Sequence, residues 1–175
     1  MPEGIAYNPA NNRMYVTNWR SNTVSVIESS QGSSSHSRFG SHGTGDGQLS
    51  NFADIALDNT GNVYAADSGN HRIQKFTKDG EFITKWSNTT IPNWNDTIPY
   101  AIVADPLGIV YITDSSHHFI EKFTTDGKFI TKWGSYVSAG NQFQEPKGVA
   151  VDRFGNVYTV DSGNYRIQVF VASTP

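Results

Sequence analysis

"NVYAADSGNHRIQKFTKDGEFITKW" fills residues 62–86, and most of it is written again further along the chain. Residues 109–133 read "IVYITDSSHHFIEKFTTDGKFITKW", and residues 156–170 read "NVYTVDSGNYRIQVF". Related openings precede them: "PEGIAYN" from Pro2, "FADIALD" from Phe52, "PYAIVAD" from Pro99 and "PKGVAVD" from Pro146. Asp67, Asp114 and Asp161 recur every 47 residues, and Asn18 stands 49 residues before Asp67. Trp86 and Trp133 keep the same 47-residue step. Several landmarks in phase define a repeat architecture. The four units span about 2–51, 52–98, 99–145 and 146–175.

Each unit holds short β-type runs separated by turn chemistry. In the second unit they are "DIALD" (54–58), "NVYAAD" (62–67), "RIQKFT" (72–77) and "EFITKW" (81–86). Between them lie "NTG", "SGNH" and "KDG", where Gly and Asn tolerate positive φ and Asp bonds its own backbone. Val63, Tyr64, Ala65 and Ala66 are apolar at both parities, so these strands should be covered on both faces rather than wet on one. Repeated four-stranded antiparallel sheets of this length, buried on both sides, describe an all-β fold, the β-propeller.

"GNVYAADSGNHRIQKF" and "GNVYTVDSGNYRIQVF" resemble NHL repeats, with "DSGNHRIQ" as their most specific part. The first unit, "GIAYNPANNRMYVTN", is closer to the YVTN type of propeller repeat, and the third is a divergent copy with "SSHHFIEKF". The resemblance implies a six-bladed ring in which the first run of each blade is innermost. It leaves function wide, since relatives bind proteins or RNA and some are metal-dependent lyases.

The last unit supplies three runs ending at Phe170, followed only by "VASTP", so it is expected to lack its outer strand. Fifteen strands then stand where four whole blades need sixteen. A segment of a longer propeller is the favoured reading, ahead of a closed four-bladed ring or an assembly of several chains. A bare outer edge invites self-association.

Composition narrows the function classes. The formal net charge of −3 and a pI near 5.9 argue against strong non-specific nucleic-acid binding. With no cysteine, disulfides and thiolate metal sites are excluded. The opening "MPEGIAYNPANN" has neither the basic nor the apolar region of a signal peptide, and no apolar run approaches a membrane span. Sequons at Asn88 and Asn95 lean toward an extracellular or cell-surface setting.

Antiparallel strands sort the loops onto two faces. The loops after the second run, and the long links between units, share one face, here called the top. Its candidate ligand-binding residues are Trp19, Arg20, His71, Arg72, His117, His118, Phe119, Tyr165 and Arg166. Trp19, Phe119 and Tyr165 would carry binding energy. Arg20, Arg72 and Arg166 would set polarity, unless Arg72 and Arg166 bond within the blades. Asp67, Asp114 and Asp161 read as turn anchors rather than a carboxylate ring. His71, His117 and His118 lack metal-ligand spacing, and no nucleophile elbow or paired carboxylate appears. No metal or cofactor is expected. The expectation is a non-catalytic module that presents its top face to a protein or glycan, with RNA binding second and a metal-dependent lyase third.

Overall fold

A computed structural model describes residues 2–30, 33–87, 97–136 and 140–172. The sequons at Asn88 and Asn95 lie outside the described residues. Among the described residues fifteen strands form four sheets, each a run of consecutive strands. Blade 1 comprises β1 (Pro2–Asn8), β2 (Arg13–Asn18), β3 (Thr23–Ser30) and β4 (Ser33–Phe39). Blade 2 has β5 (Ile55–Leu57), β6 (Val63–Asp67), β7 (Arg72–Phe76) and β8 (Phe82–Ser87). Blade 3 has β9 (Pro99–Ala104), β10 (Ile109–Asp114), β11 (Phe119–Thr124) and β12 (Phe129–Trp133). Blade 4 has β13 (Pro146–Val151), β14 (Val157–Asp161) and β15 (Arg166–Phe170), so it is three-stranded among the described residues. Every pairing within a blade is antiparallel. Four blades are present among the described residues, as the four units predict, beside the six of the ring that the resemblance implied.

The inner strands β1, β5, β9 and β13 pack one on the next. Each seam is closed by the same aromatic pair at repeat-equivalent positions. Phe39 meets Phe76 at 5.1 Å, Trp86 meets Phe123 at 6.2 Å, and Trp133 meets Phe170 at 5.5 Å between ring centroids. Around them, Ile55, Val63 and Ala65 of blade 2 pack toward blade 1, with Tyr15 and Val24 in the same cluster. Tyr64, Ala66 and Ile73 pack from blade 2 toward Ile102, Val110 and Ile112 of blade 3.

Position in the row decides the burial pattern. β6 and β7 are buried at every residue, because blade 2 has a neighbour on both sides. β14 alternates buried and exposed. The expectation of strands covered on both faces therefore holds for blade 2 and fails for blade 4, whose far flank shows Tyr158, Val160, Ile167 and Val169. Ile5, Tyr7 and Met14 are exposed on blade 1.

The Ser-rich stretch 28–37 is mostly strand. β3 and β4 pair through Glu28↔Ser35, Ser29↔Ser34 and Ser30↔Ser33. Backbone pairing does not require apolar side chains, and the hairpin extends past the core. No helix among the described residues is long and apolar enough to cross a membrane.

Candidate functional site

The loop after the second strand of blade 2 begins with a 3-10 turn, Ser68–Asn70, followed by His71 in the left-handed region at φ 52°. Behind it stands a closed polar network. The Asp67 carboxylate accepts from Ser50 N–H (2.7 Å), Asn70 Nδ2 (2.9 Å), Arg72 Nε (2.6 Å) and Gln74 Nε2 (3.1 Å). Arg72 then donates through Nη1 to the Thr44 carbonyl and through Nη2 to those of Gly45 and Gln48, at 2.7–2.8 Å. One ion pair thus staples the long loop 40–51 onto the blade. Blade 4 repeats it: Asp161 accepts from Gln144 N–H, Asn164, Arg166 and Gln168, while Arg166 and Gln168 reach the Gln142 carbonyl. Burial acts to raise the Asp161 pKa, yet these donors outweigh it and hold the carboxyl below its ordinary value.

Of the two readings open for Arg72 and Arg166, this geometry takes up bonding within the blades. The Arg72 side chain is 6% exposed and both its terminal nitrogens are used inside the fold. Arg166 makes the same ion pair at 2.8 Å, and its Nη2 is committed to the loop. The anchoring role read for the aspartates takes two forms. Asp114 accepts from Ser116 N–H and His117 N–H as a turn anchor, whereas Asp67 and Asp161 reach back to the preceding link. Blade 1 substitutes a neutral version, with Asn18 Nδ2 donating to Ser25 Oγ at 3.0 Å.

The residue just before each third strand is left-handed and not glycine: Asn22 (φ 52°), His71 (φ 52°), His118 (φ 64°) and Tyr165 (φ 53°). Three of these side chains bond the link into the next blade. Asn22 Oδ1 accepts from Asn51 N–H at 2.9 Å, and His118 Nδ1 accepts from Glu145 N–H at 3.0 Å. His71 Nδ1 lies 3.1 Å from the Thr97 carbonyl, which requires that nitrogen to carry the proton. Tyr165 differs, standing 97% exposed.

Of the remaining candidates, Trp19 is half-buried beneath the Arg20 guanidinium, 5.7 Å from its centroid. His117 Nδ1 pairs with Asp114 Oδ2 at 2.8 Å. His118 stacks on Tyr136 at 4.6 Å, and Phe119 lies under Lys132 Nζ at 4.3 Å. The three histidines are therefore held separately. Among the described residues no group of three or more His, Cys, Asp or Glu is placed to hold a metal.

The sequence reading missed the mouth at the start of the inner strands. There Glu3, Asp54, Tyr100 and Lys147 surround an opening of about 420 Å³. Burial pushes the Asp54 carboxyl up, against the bond it accepts from Ile102 N–H at 3.1 Å. The signal was present in the second and third letters of the openings "PEG", "FAD", "PYA" and "PKG", which vary while their neighbours stay apolar.

A family model of the NHL repeat matches residues 53–76 and 143–170, the stretches that carry both Asp–Arg clamps. Two of the four units are NHL repeats. Protein lin-41 of Caenorhabditis elegans is 49% identical over 47 residues, covering 27% of this chain and 4% of that protein. NHL repeat-containing protein 3 of Homo sapiens is 44% identical over 50 residues, covering 28% of this chain and 14% of that one. The chain thus matches only a small part of its curated relatives. Among solved structures, a catalytically inactive virginiamycin B lyase from Staphylococcus aureus aligns at a TM-score of 0.71 with 19% identity, covering 99% of this chain and 56% of that one. A 6-phosphogluconolactonase-like protein from Bacteroides uniformis also reaches 0.71, with 13% identity, 97% of this chain and 50% of that one. At these identities the likeness extends to the fold alone. The NHL propeller is, in general terms, a scaffold for protein interaction.

Proposed function

We propose that this NHL propeller is a non-catalytic binding module whose top-face loops engage a protein or glycan partner. The observation that carries the reading is the division of labour within the loops of blades 2 and 4. Asp67, Arg72 and Gln74 recur as Asp161, Arg166 and Gln168 and spend their polar groups inside the fold. The neighbouring tip residue changes from blade to blade, and in blade 4 it is a tyrosine 97% exposed. Tyr165, with Trp19 and Arg20, supplies rigid aromatic contact area and a cation on one face. RNA is the weaker reading, because Arg72 and Arg166 are committed to loop carbonyls and stacking would need free cations beside it.

The test is a screen of protein, glycan and single-stranded RNA arrays with the wild type, Tyr165→Ala and Trp19→Ala. A protein or glycan ligand weakened at least about tenfold by either change, with unfolding unaltered, supports the proposal. An RNA ligand with steep salt dependence, or turnover of a substrate, overturns it.

A further inference from the structure

The third letter of the four inner-strand openings is small in three blades and acidic in one: Gly4, Asp54, Ala101 and Gly148. Asp54 is held among three blades. Its Oδ2 accepts from Ile102 N–H of blade 3 at 3.1 Å, and a Cβ on Gly4 of blade 1 would fall 2.6 Å from its Oδ1. In blades 1 and 3 neutral hydroxyls tie down the openings. Thr17 Oγ1 accepts from Gly4 N–H at 2.6 Å, and Thr113 Oγ1 accepts from Ala101 N–H at 2.9 Å. A charge is therefore not what the opening of an inner strand requires. Burial pushes the Asp54 carboxyl up, so the ionised form costs the fold stability.

That carboxylate stands at the top-face mouth of about 420 Å³, which Glu3, Tyr100 and Lys147 also line. Among the described residues no ion pair reaches Asp54 or Glu3. Lys147, the cation in the lining, places its Nζ 3.8 Å from Glu145 Oε2. Tyr100 adds an aromatic ring that is 44% exposed. An apolar groove of about 350 Å³ shares Asp54 and Val149 with the mouth and continues along Ala56, Ile102 and Ala150. No three His, Cys, Asp or Glu converge among the described residues, so the set does not suit a bare metal ion. Two carboxylates without a cation, an aromatic ring and an apolar groove behind them suit an organic cation. The whole site lies on inner strands that pack one on the next from β1 to β13.

We propose that this mouth receives an aliphatic cation, an ammonium or guanidinium group on an unbranched apolar stem. The charge pairs with Asp54 and Glu3 beside the Tyr100 ring, and the stem lies in the groove of the inner strands. The cation supplies the counter-charge that Asp54 lacks within the fold and so offsets the cost of ionising a buried carboxylate. A lysine or arginine side chain of a protein partner and a free alkyl cation share this chemistry. The first source rests on the protein-binding reading above and deepens it. The second does not require that reading.

The probes are n-butylguanidinium and N-acetyl-argininamide, with N-acetyl-norleucinamide as the neutral control, titrated into the whole chain at constant ionic strength. Amide shifts of Ile55 and Ile102, whose N–H groups bond Asp54, report occupancy. We expect saturable binding of a cation, weakened about tenfold or more in Asp54→Asn, and none of the control. Asp54→Asn keeps the size of the side chain and removes a costly charge, so lost binding in it is not lost folding. Lys147→Ala should bind at least as well as the wild type. Binding of N-acetyl-argininamide assigns the source to a partner's side chain; binding of n-butylguanidinium alone assigns it to a free alkyl cation. No saturable binding of either cation overturns the proposal. So does binding that the control matches, that Asp54→Asn leaves unchanged or that Lys147→Ala abolishes. The array result with Trp19→Ala and Tyr165→Ala is independent of this one, so either reading can fail alone.

Discussion

Four donors converge on the Asp67 carboxylate, and the guanidinium that supplies one of them is buried with it. Removing the cation strands a buried negative charge, which costs about 3–5 kcal/mol. Arg72→Ala should therefore lose about that much in denaturant unfolding, with Arg72→Lys also impaired because an ammonium cannot fork between three carbonyls. A loss near zero would show that the ion pair contributes nothing. Asp161 and Asp54 have opposite pH signatures. The folded-state pKa of Asp161 is depressed, so its contribution is full above the unfolded value near 3.9 and vanishes as pH falls through the folded value. Asp161→Asn should lower the melting temperature at pH 7, with the gap closing in acid. The Asp54 pKa is raised, so its ionisation subtracts stability as pH climbs from the unfolded value through the folded one. Asp54→Asn should raise the melting temperature at pH 7 and leave it unchanged near pH 3; a variant less stable at neutral pH contradicts this. The sequence showed that Arg72 and Arg166 recur, but their acceptors are backbone carbonyls of a variable loop. No residue type marks those, so bonding within the blades was legible there but the carbonyls that receive it were not.

At the scale of strands and turns, the recurring tryptophan is not equally placed in each blade. Trp86 is 2% exposed, wedged among Tyr64, Phe123 and the Gly127 corner, whereas Trp133 is half-buried and borders an open pocket. Trp86→Ala should cost about 3–5 kcal/mol, and Trp133→Ala distinctly less. Equal losses in urea titrations would contradict this difference in burial. In the loops, Tyr165→Gly should stabilise the chain by roughly 1 kcal/mol, since its side chain is solvent-exposed and the left-handed backbone is costly for it. His71→Gly should gain less, because it forfeits the bond to the Thr97 carbonyl. Thermal unfolding separates the two. Strand order and turn positions were legible because the repeat writes them several times with period-47 landmarks. The Ser-rich hairpin was not, since serine carries little strand preference and the pairing there is made by backbone alone.

For the molecule as a whole, the central claim is a row of four propeller blades, two of them matched by the NHL repeat, in which blades 1 and 4 expose apolar side chains on their outward flanks. Blade 2 buries Tyr64, Ala66 and Ile73 against blade 3, while their equivalents Tyr158, Val160 and Ile167 in blade 4 are 39%, 42% and 59% exposed. Ile5, matching Ile55 in the repeat, is 64% exposed on blade 1 against 4% for Ile55 itself. The repeat makes these two flanks complementary, so head-to-tail contact between copies buries the same kind of surface that joins blades within the chain. The three strands of blade 4 among the described residues match the three runs read up to Phe170. The exposed flanks follow from residue burial, which the apolar wording of β6 and β14 does not distinguish. Sedimentation velocity over a wide concentration range tests the claim most directly. The account predicts a sedimentation coefficient that rises with concentration, and Val160→Lys or Ile167→Lys suppressing the rise. A compact 19.3 kDa monomer at every concentration would contradict it.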